Sequence, residues 1–260
     1  MAPVAGARNA RTPSPMTDPI APVSAIDVIA VSKSFGTPVI ENLTFAVARG
    51  EAVGIVGPNG AGKTTLLNLI AGDLAPDAGR ILIDGVDVTR QPPHRRCHAG
   101  LARTAQIPRP FEGLSVFENV LVASTYGSRL ASRDATDLAV AALDRTGMLA
   151  KANTYTASLG LLDRKRLELA RALATQPSVL LLDEIAGGLT EAEVAELIDK
   201  VRELHDGGIT IVWIEHIVHA LIAVVGRIMA MSFGRKIAEG DPREVMASAA
   251  VREVYLGVME

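Results

Sequence analysis

Two hydrophobic patterns alternate along the chain from Ile26 onward. Short and almost continuous apolar runs occupy residues 51–56, 178–182 and 209–214. Runs of this kind are typical of parallel strands that are buried on both faces. Residues 63–71 and 190–204 instead carry apolar side chains at helical spacing, and Thr190 with Glu193 forms a capping-box pattern at the start of the second helix. The alternation predicts an α/β core.

Two other regions depart from this alternation. Residues 80–88 contain an Asp-Gly pair between two apolar runs, which predicts a β-hairpin. Residues from about 115 to 165 have helical patterning without a strong strand, and Ser115 with Glu118 forms a second capping-box pattern. We therefore expect a helical insertion within the α/β core.

Composition and charge are those of an ordinary globular protein. Apolar residues make up 48% of the 260 residues and charged residues 21%, which excludes a largely disordered chain. The 26 basic and 29 acidic side chains give a net charge of −3, so we expect no nucleic-acid partner. Cys97 is the only cysteine in the sequence, and no disulfide can therefore form within the chain.

The sequence predicts neither a secretory signal nor a membrane-spanning helix. Residues 1–25 are rich in Pro, Ala and small polar residues and lack an apolar signal core, so we expect a disordered tail. The most apolar stretch, residues 217–231, is interrupted by His219, Gly226 and Arg227. It falls short of the roughly 18 uncharged apolar residues that a spanning helix needs.

A glycine-rich segment between an apolar strand and a helix has the pattern of a phosphate-binding P-loop. The segment consists of Gly57, Pro58, Asn59, Gly60, Ala61, Gly62, Lys63, Thr64 and Thr65. Glycines let backbone amides approach phosphate oxygens, the lysine reaches the β and γ phosphates, and the first threonine hydroxyl binds Mg²⁺. The alternative is a chance glycine-rich turn, but strand, helix, lysine and threonine all stand in register. We predict a nucleoside triphosphate site.

An acidic pair follows the second apolar run. Asp183 comes directly after residues 178–182, and Glu184 follows it. At the end of a strand the chain turns, so both side chains can face the phosphate site. Asp183 would then hold Mg²⁺, directly or through water, and Glu184 would act as general base on the attacking water. The alternative is an acidic pair that only caps a strand.

The combined motifs resemble the ATP-binding subunit of an ABC transporter. They are the P-loop, Gln106 before the helical insertion, the acidic pair and His216 after a later strand. The chain is most similar to the ATPase subunits of branched-chain amino-acid-type importers, through residues 102–111 and an ending that contains residues 234–242 and 255–257. The resemblance covers residues 26–260. It implies a P-loop NTPase (RecA-like) core with an antiparallel β subdomain, a helical subdomain at about 107–165, and ATP and Mg²⁺ as cofactors.

The resemblance also implies roles for three residues outside the P-loop and acidic pair. Phe35 would stack on adenine, Gln106 would contact Mg²⁺ or the attacking water and sense the permease, and His216 would hold the γ-phosphate. Each residue has a structural alternative: a core aromatic for Phe35, a solvated loop residue for Gln106, and a histidine that only ends a strand for His216.

The chain departs from the family pattern at the signature motif, where an LSGGQ-like sequence is expected. Residues 159–163 read Leu-Gly-Leu-Leu-Asp, so Gly160 replaces the serine, Leu162 the second glycine and Asp163 the glutamine. In the family, the serine hydroxyl would contact the γ-phosphate of the ATP bound to the opposite subunit. An acid at position 163 would repel that phosphate. The proline expected after Glu184 is Ile185.

The departures lead to the hypothesis of a head-to-tail heterodimer whose second ATPase subunit carries an intact signature. The family resemblance implies an ATPase at the cytoplasmic face of the inner or plasma membrane, bound peripherally to transmembrane permease subunits and serving a solute-binding protein indirectly. The solutes would be amino acids or related small polar molecules. The alternative is a non-transport ABC-type ATPase or a nucleotide-sensing regulatory module.

Overall fold

The computed structural model describes residues 24–128 and 132–256. The predicted tail therefore lies outside the described residues, except for Ser24 and Ala25, which begin the first strand. The strands are β1 (Ser24–Ser34), β2 (Pro38–Ala48), β3 (Ala52–Val56), β4 (Ala78–Ile83), β5 (Val86–Asp87), β6 (Leu101–Arg103), β7 (Val179–Asp183), β8 (Thr210–Ile214), β9 (Arg227–Ser232) and β10 (Arg235–Gly240). The helices are α1 (Lys63–Ala71), α2 (Pro93–His98), α3 (Val116–Gly127), α4 (Ser132–Arg145), α5 (Leu161–Leu173), α6 (Glu191–Asp206), α7 (Val218–Ile222), α8 (Pro242–Ala247) and α9 (Ala249–Leu256).

The larger sheet contains six strands in the order β10-β9-β3-β8-β7-β6. Strands β9, β3, β8, β7 and β6 are parallel, and β10 pairs antiparallel with β9 at one edge. All residues of β3, β7 and β8 are buried. The prediction that the three apolar runs are buried parallel strands is confirmed, and with it the α/β P-loop core.

The smaller sheet is antiparallel and contains four strands in the order β2-β1-β4-β5. Strands β4 and β5 form the predicted hairpin, with Ile83 opposite Val86. Asp84 and Gly85 between them have φ angles of 49° and 78°. Positive φ at both central residues is typical of the tight turns that join hairpin strands. The antiparallel subdomain is therefore confirmed as well.

The hydrophobic core forms two layers, one on each face of the larger sheet. One layer joins the antiparallel sheet and α1 to the first face, and the other joins α5, α6 and the remaining helical region to the second face. Val212 and Trp213 are neighbours on β8 but belong to different layers, because successive side chains of a strand point to opposite faces. This arrangement explains why the central strands are almost entirely apolar, with Asp183 and Thr210 as polar residues at strand ends.

The helical region lies between β6 and β7 and contains α3, α4 and α5. Ser115 and Glu118 cap α3 with both hydrogen bonds of the predicted capping box, and Thr190 and Glu193 do the same for α6. Helix α5 continues to Leu173, beyond the predicted end of the helical subdomain at residue 165. Within the described ranges, the helices are all too short or too polar to cross a bilayer.

Candidate nucleotide-binding site

The glycine-rich loop connects β3 to α1 and packs tightly against two other strands. A Cβ atom on Gly57 would lie 2.3 Å from the carbonyl oxygen of Met231, at the end of β9. Gly62 has φ 96°, and a Cβ there would lie 2.7 Å from Cδ1 of Ile40 and 2.8 Å from the carbonyl oxygen of Val39. Glycine is therefore required at both positions by the close approach of neighbouring backbone.

Lys63 is the first residue of α1 and is 5% exposed. Its Nζ donates hydrogen bonds to the carbonyl oxygens of Gly57, at 2.7 Å, and Pro58, at 3.0 Å. Burial lowers the pKa of Lys63, and the negative charges of Glu184 and Asp183 oppose that shift. The ammonium group is thus held within the loop by backbone carbonyl groups.

Asp183 is the last residue of β7 and is 1% exposed. Its Oδ2 accepts a hydrogen bond from Nη2 of Arg103 at 2.7 Å, whereas its Oδ1 is buried and has no hydrogen-bond partner in the described part of the chain. Arg103 also donates from Nη1 to Oδ1 of Asn68, at 2.5 Å, and to Oδ2 of Asp73, at 2.9 Å. Arg103 therefore fixes one oxygen of Asp183 and leaves the other without a partner.

The residues present fit a magnesium ion. Thr64, Gln106 and Asp183 line one cleft of about 510 Å³, and the unpartnered Oδ1 belongs to one of them. Hydroxyl, amide and carboxylate oxygens are the ligands that Mg²⁺ prefers, and it usually keeps few protein ligands beside substrate phosphates.

The three residues predicted to be catalytic are in contact, because His216 and Gln106 both reach the carboxylate of Glu184. Nε2 of His216 lies 2.6 Å from its Oε1, and Nε2 of Gln106 donates a hydrogen bond to its Oε2. The pairing of β7 with β8 creates this contact, because Asp183 lies opposite Ile214 and the two following segments leave the sheet side by side. Both predicted partners thus contact the predicted general base.

Phe35 follows β1 and is 58% exposed, which excludes the alternative of a core aromatic. Nζ of Lys33 lies 5.5 Å from the centre of its ring. The start of β2 beyond this turn packs against the P-loop, where Ile40 approaches Gly62. The exposed ring therefore stands on the hairpin that flanks the loop.

The signature segment has few side chains that could recognise a phosphate. Gly160 precedes α5 and has no hydroxyl, and Leu161 is 42% exposed. Asp163 forms an ion pair with Lys151. The carboxylate of Asp163 therefore has a positive partner within its own subunit.

Sequence reasoning missed three charged residues at the site: the partly exposed Arg103 and the buried Lys165 and Glu215. Arg103 ends β6, and Lys165 and Glu215 are 5% and 2% exposed. The sequence does contain a signal for Glu215, a carboxylate directly after the apolar run of β8. Charged side chains are almost never fully buried without a partner, so such a position indicates a specific contact.

Comparison with known proteins shows the family to which the chain belongs. Residues 40–187 match the family model described as ABC transporter. The chain belongs to the ABC transporter family. It is the ATP-binding subunit of such a transporter and hence an ATPase, as subunits of this family are, and these subunits work with transmembrane permease components. Residues 235–260 also match a second model, described as branched-chain amino acid ATP-binding cassette transporter.

Individual members of the ABC transporter family resemble the chain over most of its length. The Escherichia coli lipopolysaccharide export system ATP-binding protein LptB is 34% identical, over 85% of this chain and 92% of the relative. The Escherichia coli high-affinity branched-chain amino acid transport ATP-binding protein LivG is also 34% identical, over 85% of this chain and 93% of the relative. A crystal structure of the ADP conformation of an ATP-binding cassette has a TM-score of 0.83 and 29% identity, over 90% of this chain and 99% of that chain.

Proposed function

We propose that residues 26–260 form an ATPase domain that powers an importer for amino acids or related small polar solutes. The match of residues 235–260 to the branched-chain amino acid family and the similarity to LivG support this direction and substrate class. LptB is equally identical over the same share of the chain and is named for export. Import and export therefore have to be separated by a transport assay.

The observation that carries the proposed mechanism is the convergence of Gln106 and His216 on Glu184, beside the free oxygen of Asp183. Glu184 accepts the proton of the attacking water, and His216 and Gln106 fix its carboxylate in place. His216, whose side chain is 43% exposed, also reaches the γ-phosphate from the open side of the site. Gln106 in addition senses the permease.

The remaining residues bind and orient the nucleotide. The backbone of residues 57–62 and the ammonium of Lys63 hold the phosphates, and Phe35 stacks on adenine. Thr64, Asp183 and Gln106 would hold Mg²⁺, with Thr65 next in the same helix. When bound, Mg²⁺ neutralises charge that develops on the phosphates during transfer.

The signature segment supports a dimer of two different ATPase subunits. Gly160 offers no hydroxyl to the opposite γ-phosphate, Leu162 prevents the close backbone approach of a glycine, and Asp163 is occupied by Lys151. We infer a head-to-tail heterodimer in which the partner supplies an intact signature. The pair lies at the cytoplasmic face of the membrane on its permease subunits, serves a solute-binding protein indirectly, and contacts no nucleic acid.

The test measures ATP turnover by the chain alone and mixed with its co-encoded ATPase partner. We expect the pair to turn over ATP much faster than the chain alone, and Glu184→Gln to remove most of that rate. Glu203→Gln, an exposed change on α6, is the matched control. Full turnover by the chain alone would favour a homodimer, and ATP binding without turnover with any partner would favour a nucleotide-sensing regulatory module.

A second assay tests the direction and substrate class. The full transporter, reconstituted in proteoliposomes with its permease and binding protein, should take up radiolabelled leucine or a related amino acid in the presence of ATP. Uptake should disappear with the Glu184→Gln variant. ATP-dependent loss of lipid or solute, with no uptake across a panel of amino acids, would contradict import.

A further inference from the structure

The carboxylate of Glu215 connects two loops of the site. Its Oε1 accepts a hydrogen bond from the backbone N–H of Ala186 at 2.7 Å. Its Oε2 accepts from the backbone N–H groups of His216, at 3.0 Å, and Ile217, at 3.5 Å. Ala186 lies two residues after Glu184, so one buried side chain contacts the backbone on both sides of the Glu184–His216 contact.

The backbone of Glu184 needs such support. Its φ angle of 47° lies in the left-handed region, which non-glycine residues rarely adopt. Such conformations persist only where the surrounding structure fixes them. The N–H of Glu184 donates to the carbonyl oxygen of Ile214 at 2.9 Å, and the bond from Ala186 to Glu215 fixes the chain on the other side of Glu184.

A buried lysine contacts the backbone of Glu184 from the adjacent helix. Lys165 lies in α5, and its Nζ is 3.4 Å from the carbonyl oxygen of Glu184. Burial lowers the pKa of Lys165, and the negative charges of Glu215 and Glu184 oppose that shift. Buried charges cost free energy unless opposite charges offset them, and Lys165 supplies a positive charge beside the two loops that Glu215 connects.

We propose that Glu215 is a positioning residue for ATP hydrolysis: it ties the backbone after Glu184 to the backbone of His216 and thereby keeps the two side chains in contact. This inference rests on the proposed role of Glu184 as general base. It assigns Glu215 no contact with the nucleotide. Loss of Glu215 should therefore reduce turnover and leave nucleotide binding intact.

The test compares the Glu215→Gln variant, the Glu203→Gln control and the wild-type chain, each in complex with the unmodified co-encoded ATPase partner. Glutamine has the same length but one acceptor oxygen, so its NH₂ group must face a backbone N–H of one loop. We expect kcat to fall at least about tenfold, with KM and the affinity for a fluorescent ATP analogue changed by less than about twofold. Wild-type kcat would overturn the proposal, as would a parallel loss of kcat and binding.

Two further variants separate positioning from charge and from folding. Glu215→Asp keeps the charge but is one methylene shorter and cannot reach both loops, so we expect it to lose turnover too; rescue of kcat by Asp would overturn the proposal. If Glu215→Gln fails to fold, the double variant Lys165→Met/Glu215→Gln removes the unpaired buried cation and is measured in the same way. Absence of hydrolysis in the wild-type complex, or full hydrolysis by Glu184→Gln, would instead contradict the proposed function.

Discussion

Breaking the ion pair between Arg103 and Asp183 should lower the free energy of unfolding by an amount that the structure lets us estimate. In Arg103→Met, the buried Asp183 loses the hydrogen bond of 2.7 Å to Oδ2, while its Oδ1 already has no partner in the described residues. Removing one member of a buried ion pair costs about 3–5 kcal/mol, because the other charge stays buried. The side chain of Arg103 is 21% exposed, so water can reach part of the space that it leaves.

We therefore expect the lower end of this range, about 3 kcal/mol, for Arg103→Met. The bond to Asp73 adds little, since the Asp73 side chain is 50% exposed and exposed pairs contribute at most about 1 kcal/mol. Urea unfolding, followed by circular dichroism, measures the change in the free energy of unfolding. The buffer must contain a chelator and no nucleotide, because a divalent cation would bind the freed carboxylate.

A double-mutant cycle identifies the cause of the loss. Asp183→Asn removes the charge that Arg103→Met leaves unpaired, so the double variant should be more stable than the sum of the single changes predicts, by about 1–3 kcal/mol. Arg202→Met, which breaks an exposed pair with Asp199, is the control and should change stability by less than about 1 kcal/mol. Additive effects, or an Arg103→Met variant as stable as the control, would refute the reasoning.

Three further predictions concern other parts of the fold. Phe233 is 87% exposed at the β9–β10 turn with φ 44°, so Phe233→Asn should raise the melting temperature, by relieving about 1 kcal/mol of backbone strain; an unchanged or lower value contradicts this. Thr190→Ala removes the cap of α6 and should cost about 1 kcal/mol in urea unfolding. Hydrogen bonds from the backbone and hydroxyl of Thr190 lower the pKa of Glu193. The stability that ionised Glu193 contributes is therefore present above the ordinary carboxyl pKa of about 4.3 and is lost as the pH falls through the lower pKa of the folded protein. Thr190→Ala removes the hydroxyl and should make this loss of stability at acid pH smaller. Burial raises the pKa of the Cys97 thiol, so iodoacetamide at neutral pH should alkylate folded protein more slowly than urea-unfolded protein, and equal rates would count against it.

The central strands and the capping boxes of helices α3 and α6 could be predicted because their signals are local. Strands β3, β7 and β8 are buried on both faces, which requires an apolar residue at almost every position and makes each run recognisable alone. Strand β6 has only three residues, and β1 pairs with β2 and β4 through several register shifts. Short or irregular strands acquire their structure from distant partners, and no local pattern identifies them.

The site divides in the same way. The glycine-rich loop and the acidic pair lie in contiguous motifs, so the sequence identifies them and the order of the residues indicates their chemistry. The contacts of Glu184 depend on the pairing of Asp183 with Ile214, which joins residues far apart in the sequence. Arg103 and Glu215 belong to this second group, because their importance follows from the carboxylate or backbone that they contact and not from any motif.

Helix α5 gives the degenerate signature a connection to the hydrolytic site of its own subunit. The helix begins at Leu161, directly after Gly160, and one turn along it Lys165 contacts the carbonyl oxygen of Glu184. A short helix moves as a nearly rigid unit, so a displacement of the signature segment also displaces Lys165 relative to Glu184 and Glu215. In the proposed heterodimer the signature segment faces the nucleotide bound to the partner subunit. Gly160 and Leu162 recognise that nucleotide weakly, so its binding displaces the signature segment less and has less influence on Glu184. A chain with such a signature should hydrolyse its own ATP with less dependence on the nucleotide bound at the second site than a chain with an intact one.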